Sequence, residues 1–513
     1  MIGALVRHCT GHRVRRACAA VGMILAGTAL AGPSAADPIP TADVIRVRLT
    51  VPSSGVSIEP APSAQVRVDG MPLAGADPPA RIVAGAALRY VMLPRDRIPP
   101  EAQGLGVEPR TPLAGTAEVM IGPYRDASTA LAHRRRLQAE FGAPGRLTPP
   151  RAGVAIGHVR WEPAPRSIEI APASGLDVTR INGRAYRGAV RVSAASDAIS
   201  VVNTVDLTHY IASVVGTEMP ASWELEALKA QAVAARTYAL RRIQPDADYD
   251  ICDSQDCQAY AGVARESPRT LAAAEQTARI VAVYRGALIE AVYSANAGDF
   301  TASAEHVWGD AVPYLVEVPS SGDKEALSVE WGATGYRWTR EVPLAEVSRA
   351  QAVARAGLGA IVSARVVEAN GSGRPIRVEL ADSSRRVELF GDAIRTTLGL
   401  PSNYVELTVA APDVRRLIGP APTEVAGLVQ EGFAVTVRRR SFAFDAAPPD
   451  VRLIDGTIQI VTLTKPARLV VRGRGFGHGV GMSQWGAQGM ARAGSTYDEI
   501  LRHYYPGIDL ITT

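Results

Sequence analysis

The chain lacks an excess of charge. It carries 55 basic and 51 acidic side chains. Four of the basic ones, Arg7, Arg13, Arg15 and Arg16, fall within the first 36 residues, and without them the remainder balances at 51 against 51. No broad basic field is left to hold nucleic acid or a membrane surface, so neither is an expected partner. Long apolar runs are also missing: beyond residues 17–31 no stretch is long enough to span a bilayer. No internal repeat of fixed period is present. Cysteine is scarce as well. Of four, only Cys252 and Cys257 lie outside the first 36 residues.

What is present at the start reads as an export signal over residues 1–36. A basic opening without acidic residues precedes the small and apolar residues 17–31, and Ser34-Ala35-Ala36 offers the small side chains a signal peptidase reads. An uncleaved anchor is the other reading. Both imply a secreted or cell-wall protein. In an oxidising compartment Cys252 and Cys257, with four residues between them, are expected to close a small disulfide loop. Their thiolates could instead be half of a tetrahedral zinc site. No histidine occurs between His209 and His306, so further ligands would have to come from a distance. The disulfide is favoured, and no cofactor is expected.

The rest of the chain is about three domains long. Residues 44–60 alternate as strands with a turn at Pro52 to Gly55. Residues 73–84, rich in Gly, Ala and Pro, suggest a linker. Within 86–148, a strand at Ala117 to Ile121 and the turn Gly122-Pro123-Tyr124 precede a helix over 127–141, which has Leu131, Leu137 and Phe141 as apolar contacts and ends at Gly142 and Pro144. Short strands with turns such as Asn182-Gly183-Arg184 fill 154–206. Helices are expected over 225–242 and 268–277, a hairpin over 280–301 with its turn at Arg285-Gly286, and mostly short strands over 361–475 with a helix near 389–398. The expected class is α+β, a mostly antiparallel core with a few segregated helices and a small α/β insertion.

Three runs carry possible chemistry. In Gly216-Thr217-Glu218-Met219-Pro220, a carboxyl beside Val215, Met219 and Trp223 is placed for partial desolvation, which raises a carboxyl pKa and suits it to protonate a leaving oxygen. Pro220 should stop the preceding element and leave Glu218 at a bend. Spacing alone equally fits a carboxylate at a helix entrance with only a dipole role, worth well under about 1 kcal/mol. In the alanine-rich helix that follows, Lys229, Val233, Arg236 and Leu240 share a face, either lining a polar groove or carrying two solvated charges. The second run, Tyr293 to Thr301, holds small hydroxyl and amide groups suited to sugar hydroxyls, or is a polar loop. The third, Gly473 to Ala487, is not a dinucleotide fingerprint, because no βαβ unit surrounds it. There His478 is a candidate hydrogen-bonding or acid–base group and Trp485 a sugar-stacking surface. A tightly packed turn with a structural histidine is the alternative.

Together the runs resemble the stage II sporulation protein D and amidase-enhancer family. The match rests on Tyr210-Ile211-Ala212-Ser213-Val214-Val215, Glu218-Met219-Pro220, the continuous stretch Leu225 to Ala239, Cys257-Gln258-Ala259-Tyr260-Ala261-Gly262, Tyr293-Ser294, and His478 to Ala487. It spans about 154–510, with the strands at 44–60, inside a segment 37–85 of strands and linker, as a candidate part of the same domain. The insertion at 86–148 resembles half of a sporulation-related repeat, a glycan-binding module; an ordinary β-α insertion is the alternative.

The resemblance implies a peptidoglycan lytic transglycosylase acting on glycan strands without stem peptides. It implies Glu218 as acid/base and Lys229, Arg236, Tyr293 and Ser294 as substrate-binding; His478 and Gln484 of the third run are further substrate-binding candidates. Glu218 would protonate the oxygen between N-acetylmuramic acid and N-acetylglucosamine. It would then take the proton from the muramoyl 6-hydroxyl as that closes on the anomeric carbon, with no water and no second carboxylate. Arg236 paired with Glu218 would oppose the acid role, so substrate contact is expected of it. Two departures stand out. Many relatives have Ser-Gly-Gly where this chain has Asn296-Ala297-Gly298-Asp299, and the two histidines with which some relatives bind zinc are missing from 245–260. A non-catalytic wall-binding protein that stimulates a cell-wall amidase is the other reading, which would make that amidase a partner.

Overall fold

The computed structural model describes residues 39–513 apart from 53–54, 74–81, 95–117, 125–126, 143–144, 149–150, 157–158, 162–166, 196–197, 421–433, 438–439, 444–449 and 455–456. The expected export signal lies outside the described residues. Among the described residues no helix is long and apolar enough to cross a membrane. The fold is α+β, with mostly antiparallel sheets and separate helices. It divides into two compact units. The second is Tyr293–Ala493 with His503–Pro506; the first is the described part of 39–292 with Gly494–Arg502 and Gly507–Thr513.

Strand alternation builds the first unit. Val44–Arg48 buries Ile45 and Val47 and pairs antiparallel with Ala198–Asp206. Both lie in a seven-stranded sheet that also holds Ala189–Ala195, Ser167–Ala171 and Gln65–Val68. At one edge Val47 and Arg48 pair in parallel with Ile251 and Cys252, which anchors the cysteine loop. A second sheet joins Val56–Glu59, Val178–Ile181 and the long strand Ile82–Pro94. The linker expected over 73–84 is corrected at its end: Ile82 and Ala84 are fully buried strand residues, while 74–81 fall outside the described residues. Ile82–Pro94 also pairs with Glu118–Tyr124 and Arg146–Leu147. Helix α1 (Ala127–Phe141) lies between these two. Val91, Ile121 and Leu137 are the buried contacts of this small module, with Tyr124 and Leu147 against them.

Three helices follow: α2 (Leu207–Glu218), α3 (Leu225–Leu240) and α4 (Pro268–Gln276). Asp206 caps α2 by accepting from the backbone N–H groups of Thr208 and His209 at 2.9 and 3.1 Å. Ser267 and Thr270 form a capping box on α4, with Pro268 in its first turn. Ala227, Ala230, Ala232, Ala234, Ala235 and Ala239 of α3 are all fully buried, so the small side chains let neighbouring backbones approach. The expected face Lys229, Val233, Arg236 and Leu240 is not a groove: Val233, Arg236 and Leu240 are buried.

The hairpin near 280 is shorter than expected. Ile280–Tyr284 turns at Arg285-Gly286 and its hairpin partner is only Ala287–Leu288; on its other side it pairs antiparallel with Asp509–Thr512. The second unit begins with Tyr293–Ser294, which pairs in parallel with Met482–Ser483 instead of returning along the hairpin. The core of this unit lies between the sheets Arg337–Pro343/Arg468–Arg474/Val405–Ala410 and Ser363–Ala369/Pro375–Ala381/Arg386–Phe390, where Val353, Val378, Leu380, Ile394, Leu469 and Val471 are fully buried. The helix expected near 389–398 is Asp392–Leu398.

Candidate functional site

Glu218 is the last residue of α2, followed by Met219 in extended conformation. The reading of a helix entrance is therefore corrected. Glu218 sits at the carbonyl end, where the dipole does not favour a carboxylate. It is half-buried, while Val214, Val215, Met219 and Trp223 around it in sequence are buried. The position is held from behind. A Cβ on Gly216 would come 2.0 Å from the Arg265 carbonyl oxygen, so only glycine lets α2 approach this closely. On the same side the Ser213 hydroxyl donates to the Gly262 carbonyl at 2.8 Å.

The expected basic partners are differently employed. Lys229 donates to Glu226 at 2.7 Å, and the other Glu226 oxygen accepts from the Tyr497 backbone at 2.9 Å. Arg236 is corrected outright. It is buried, and its guanidinium donates to the carbonyls of Thr277 (2.7 Å), Ala274 (2.9 Å) and Ile280 (3.3 Å). Those groups include carbonyls that the end of α4 leaves without helical partners. Burial lowers its pKa to about 10, which still leaves it charged at neutral pH. Arg236 is thus a buried clamp on the end of α4 whose terminal nitrogens are engaged by backbone carbonyls.

Cys252 and Cys257 form the disulfide, with Cα atoms 5.5 Å apart. In this state neither sulfur is a thiolate ligand, and among the described residues no group of three His, Cys, Asp or Glu side chains gathers as a metal ion needs. The loop delivers two buried polar residues to the helices. Tyr210 of α2 donates to Gln258 Oε1 at 3.1 Å, Gln258 Nε2 donates to the Ala235 carbonyl of α3 at 3.3 Å, and Tyr260 donates to Asn203 at 2.9 Å. Burial raises the pKa of both phenols, so they act as fixed donors.

The other four expected site residues come together in the second unit. Tyr293 and Ser294 lie beside Met482 and Ser483. His478 Nδ1 accepts from the Val480 backbone at 3.0 Å, which puts the neutral ring's proton on Nε2. Burial lowers the His478 pKa to about 4 despite a backbone hydrogen bond at Tyr293, so the ring is uncharged near neutrality. It lies 5.2 Å from the Trp308 ring. Gln484 opens the helix Gln484–Arg492 and is buried, as is Trp485.

A buried polar network went unread in the sequence. Asp323 is fully buried and accepts from Ser483 and from the Asp299 backbone N–H, the latter at 3.1 Å. Burial pushes its pKa up to about 6 against those bonds. Asp299 adopts φ +82°, accepts from Tyr336 at 2.5 Å and pairs with Arg474 at 3.2 Å. Arg374 donates to the carbonyls of Ala297 and Phe300 at 2.6 and 2.8 Å. No motif or periodicity marks Asp323 or Arg374. The hint lay in Asn296-Ala297-Gly298-Asp299, which departs from the expected pattern and supplies the other half of this network.

Two units, one ending a buried helix in a half-buried glutamate and the other folding a glycine-rich segment over an internal polar network, define an α+β protein. The chain belongs to the stage II sporulation protein D family. The family model described as Stage II sporulation protein matches residues 195–284, which contain Glu218, Lys229, Arg236 and the disulfide. An uncharacterised protein of Brachyspira hyodysenteriae is 30% identical over 334 residues, 64% of this chain and 73% of that one. The Amidase enhancer of Bacillus subtilis is 28% identical over 319 residues, 58% of this chain and 39% of its own length. The Stage II sporulation protein D of Bacillus subtilis is 26% identical over 350 residues, 64% of this chain and 82% of its own.

Proposed function

We propose that this chain is an exported peptidoglycan lytic transglycosylase that cuts the bond between N-acetylmuramic acid and N-acetylglucosamine in glycan strands without stem peptides, leaving 1,6-anhydromuramoyl ends. The observation that carries the reading is Glu218: a half-buried carboxyl at the end of a helix packed closely against the Arg265 backbone at Gly216. Fixed placement matters because one group must serve twice. The Glu218 carboxyl gives its proton to the glycosidic oxygen as the bond to the anomeric carbon breaks. The resulting carboxylate takes the proton of the muramoyl 6-hydroxyl as that oxygen bonds to the same carbon. The enzyme ends protonated as it began, and no water is consumed. Arg236 donates to the backbone carbonyls of Thr277 and Ala274, so those guanidinium donors are held by the frame around α3 and α4.

Mass spectrometry of peptide-free glycan digested by wild type and by Glu218→Gln tests this. Anhydromuramoyl products from wild type alone are expected. Hydrolytic reducing ends, or equal products from the variant, would refute it. A second reading has one observation in its favour, the relative named Amidase enhancer. It expects stimulation of a cell-wall amidase that survives Glu218→Gln.

A further inference from the structure

Three aromatic side chains of the second unit remain exposed beside a complete apolar core. Trp308, Trp331 and Phe476 are 40%, 37% and 47% exposed. Single exposed apolar residues are ordinary, but these are linked. The Trp308 ring lies against that of His478, two residues from Phe476. Phe476 in turn lies 3.9 Å from where a Cβ on Gly335 would be. Gly335 is one helical turn after Trp331 on Glu330–Tyr336, and Trp331 lies 5.0 Å from the Trp485 ring. Between Phe476 and His478 the backbone is bare at Gly477, whose φ is +102° and where a Cβ would come 2.9 Å from Ser294 Cβ. Beneath it Ser294 is 6% exposed, and its Oγ has no hydrogen-bond partner. Buried hydroxyls normally have one.

Charge adds a second line. Arg337 stands directly opposite Arg474 in the antiparallel pair, an unfavourable arrangement of like charges. Asp299 answers Arg474 at 3.2 Å. Arg337 is exposed and lies over the Tyr336 ring at 5.4 Å.

We propose that this face of the second unit binds an acidic glycan: pyranose rings stack on Trp308 and Phe476, and a carboxylate carried by a sugar meets Arg337. Rings alternating with bare backbone and charge fit a polar ligand with flat apolar faces. A protein partner would ask for a contiguous apolar core instead. The proposal rests on the transglycosylase reading only for the ligand's identity, a peptidoglycan strand whose lactyl carboxylates are free of peptide.

The test measures binding of the full chain carrying Glu218→Gln, so that nothing is turned over. The probes are peptide-free glycan strands and neutral chitooligosaccharides. Adding Trp308→Ala with Phe476→Ala should weaken both ligands about tenfold or more, with the thermal midpoint unchanged. The ring-retaining pair Trp308→Tyr with Phe476→Tyr should restore most of the affinity. Arg337→Ala should weaken the peptide-free strands severalfold and leave chitooligosaccharides unaffected. Absence of glycan binding, or unchanged affinity after both alanine substitutions, would overturn the proposal. Equal loss of both ligands in Arg337→Ala would overturn its carboxylate part. Failure of the transglycosylase reading would show separately, as wild type that binds glycan but releases no anhydromuramoyl product.

Discussion

The helical block α2–α4 and the glycine-rich segment Gly473 to Ala487 bury polar groups in different ways. In the helical block the buried charge is Arg236, satisfied by backbone carbonyls that have no proton to exchange. The glycine-rich region also holds a buried arginine on carbonyls, Arg374, but it adds a buried carboxyl, Asp323, held by Ser483 and a backbone N–H, with uncharged His478 in the same segment. A cation among fixed carbonyls stays charged at every working pH. A carboxyl among hydroxyl and amide donors can hold its proton, and its neighbours must accommodate both states. The first region should therefore be a pH-insensitive frame for Glu218, and the second should respond to pH.

The largest effect that would sharpen this contrast is on chemistry. Glu218→Gln should reduce anhydromuramoyl release by about 10²–10⁴-fold without moving the thermal midpoint, since the side chain is only half-buried. Next comes the frame. Arg236→Met should cost about 3 kcal/mol in urea unfolding, because several backbone carbonyls lose their donor inside the core. The loss should be the same at pH 5 and pH 8; a loss confined to one of them would break the comparison. Reducing the Cys252–Cys257 disulfide closes off less: its short loop is worth about 2 kcal/mol by chain entropy, read as a shift in the urea midpoint.

The pH response of the second region is the subtler prediction. Asp323 titrates at about 6 in the fold against an ordinary 3.8. The folded state thus binds the proton more tightly, and the stability this contributes is present below pH 3.8 and lost as pH rises through 6. His478 works the other way: with its pKa lowered from 6.5 to about 4, its contribution is present above pH 6.5 and lost as pH falls through about 4. Asp323→Asn should remove the first slope and leave the second, so stability measured from pH 7 to pH 4 should fall more steeply in the variant. Smallest of all, Lys229→Met should change stability by less than about 1 kcal/mol, as its partner Glu226 is a partly exposed neighbour on the same helix.

Local features of the fold were readable in advance because their causes are local. Helices α1, α3 and α4 follow from spacing, a capping serine and Pro268, and Asn182-Gly183 and Arg285-Gly286 turn where glycine allows. The disulfide follows from an even pair of cysteines close in sequence. The reach of the hairpin beyond Leu288 was misread, because the partner of Tyr293–Ser294 lies nearly two hundred residues away in sequence. Arg236 was misread for a related reason. Its position on α3 is visible from periodicity, but the carbonyls that occupy it come from the end of α4 and the strand after it. A cation on a helix face looks the same in sequence whether it meets water, substrate or backbone.

The sequence by itself determined the α+β class, the helix that frames Glu218, the disulfide pair and the family, all carried by short-range pattern and contiguous motif. Only the tertiary structure decided that Glu218 ends a helix at its carbonyl end, that Arg236 donates to backbone carbonyls, that Asp323 and Asp299 share a buried network, and that Trp308, Phe476 and Arg337 stay exposed. Each of these depends on which distant groups are left without partners once the backbone is folded, and that sum is settled by packing, not by any stretch of residues read alone.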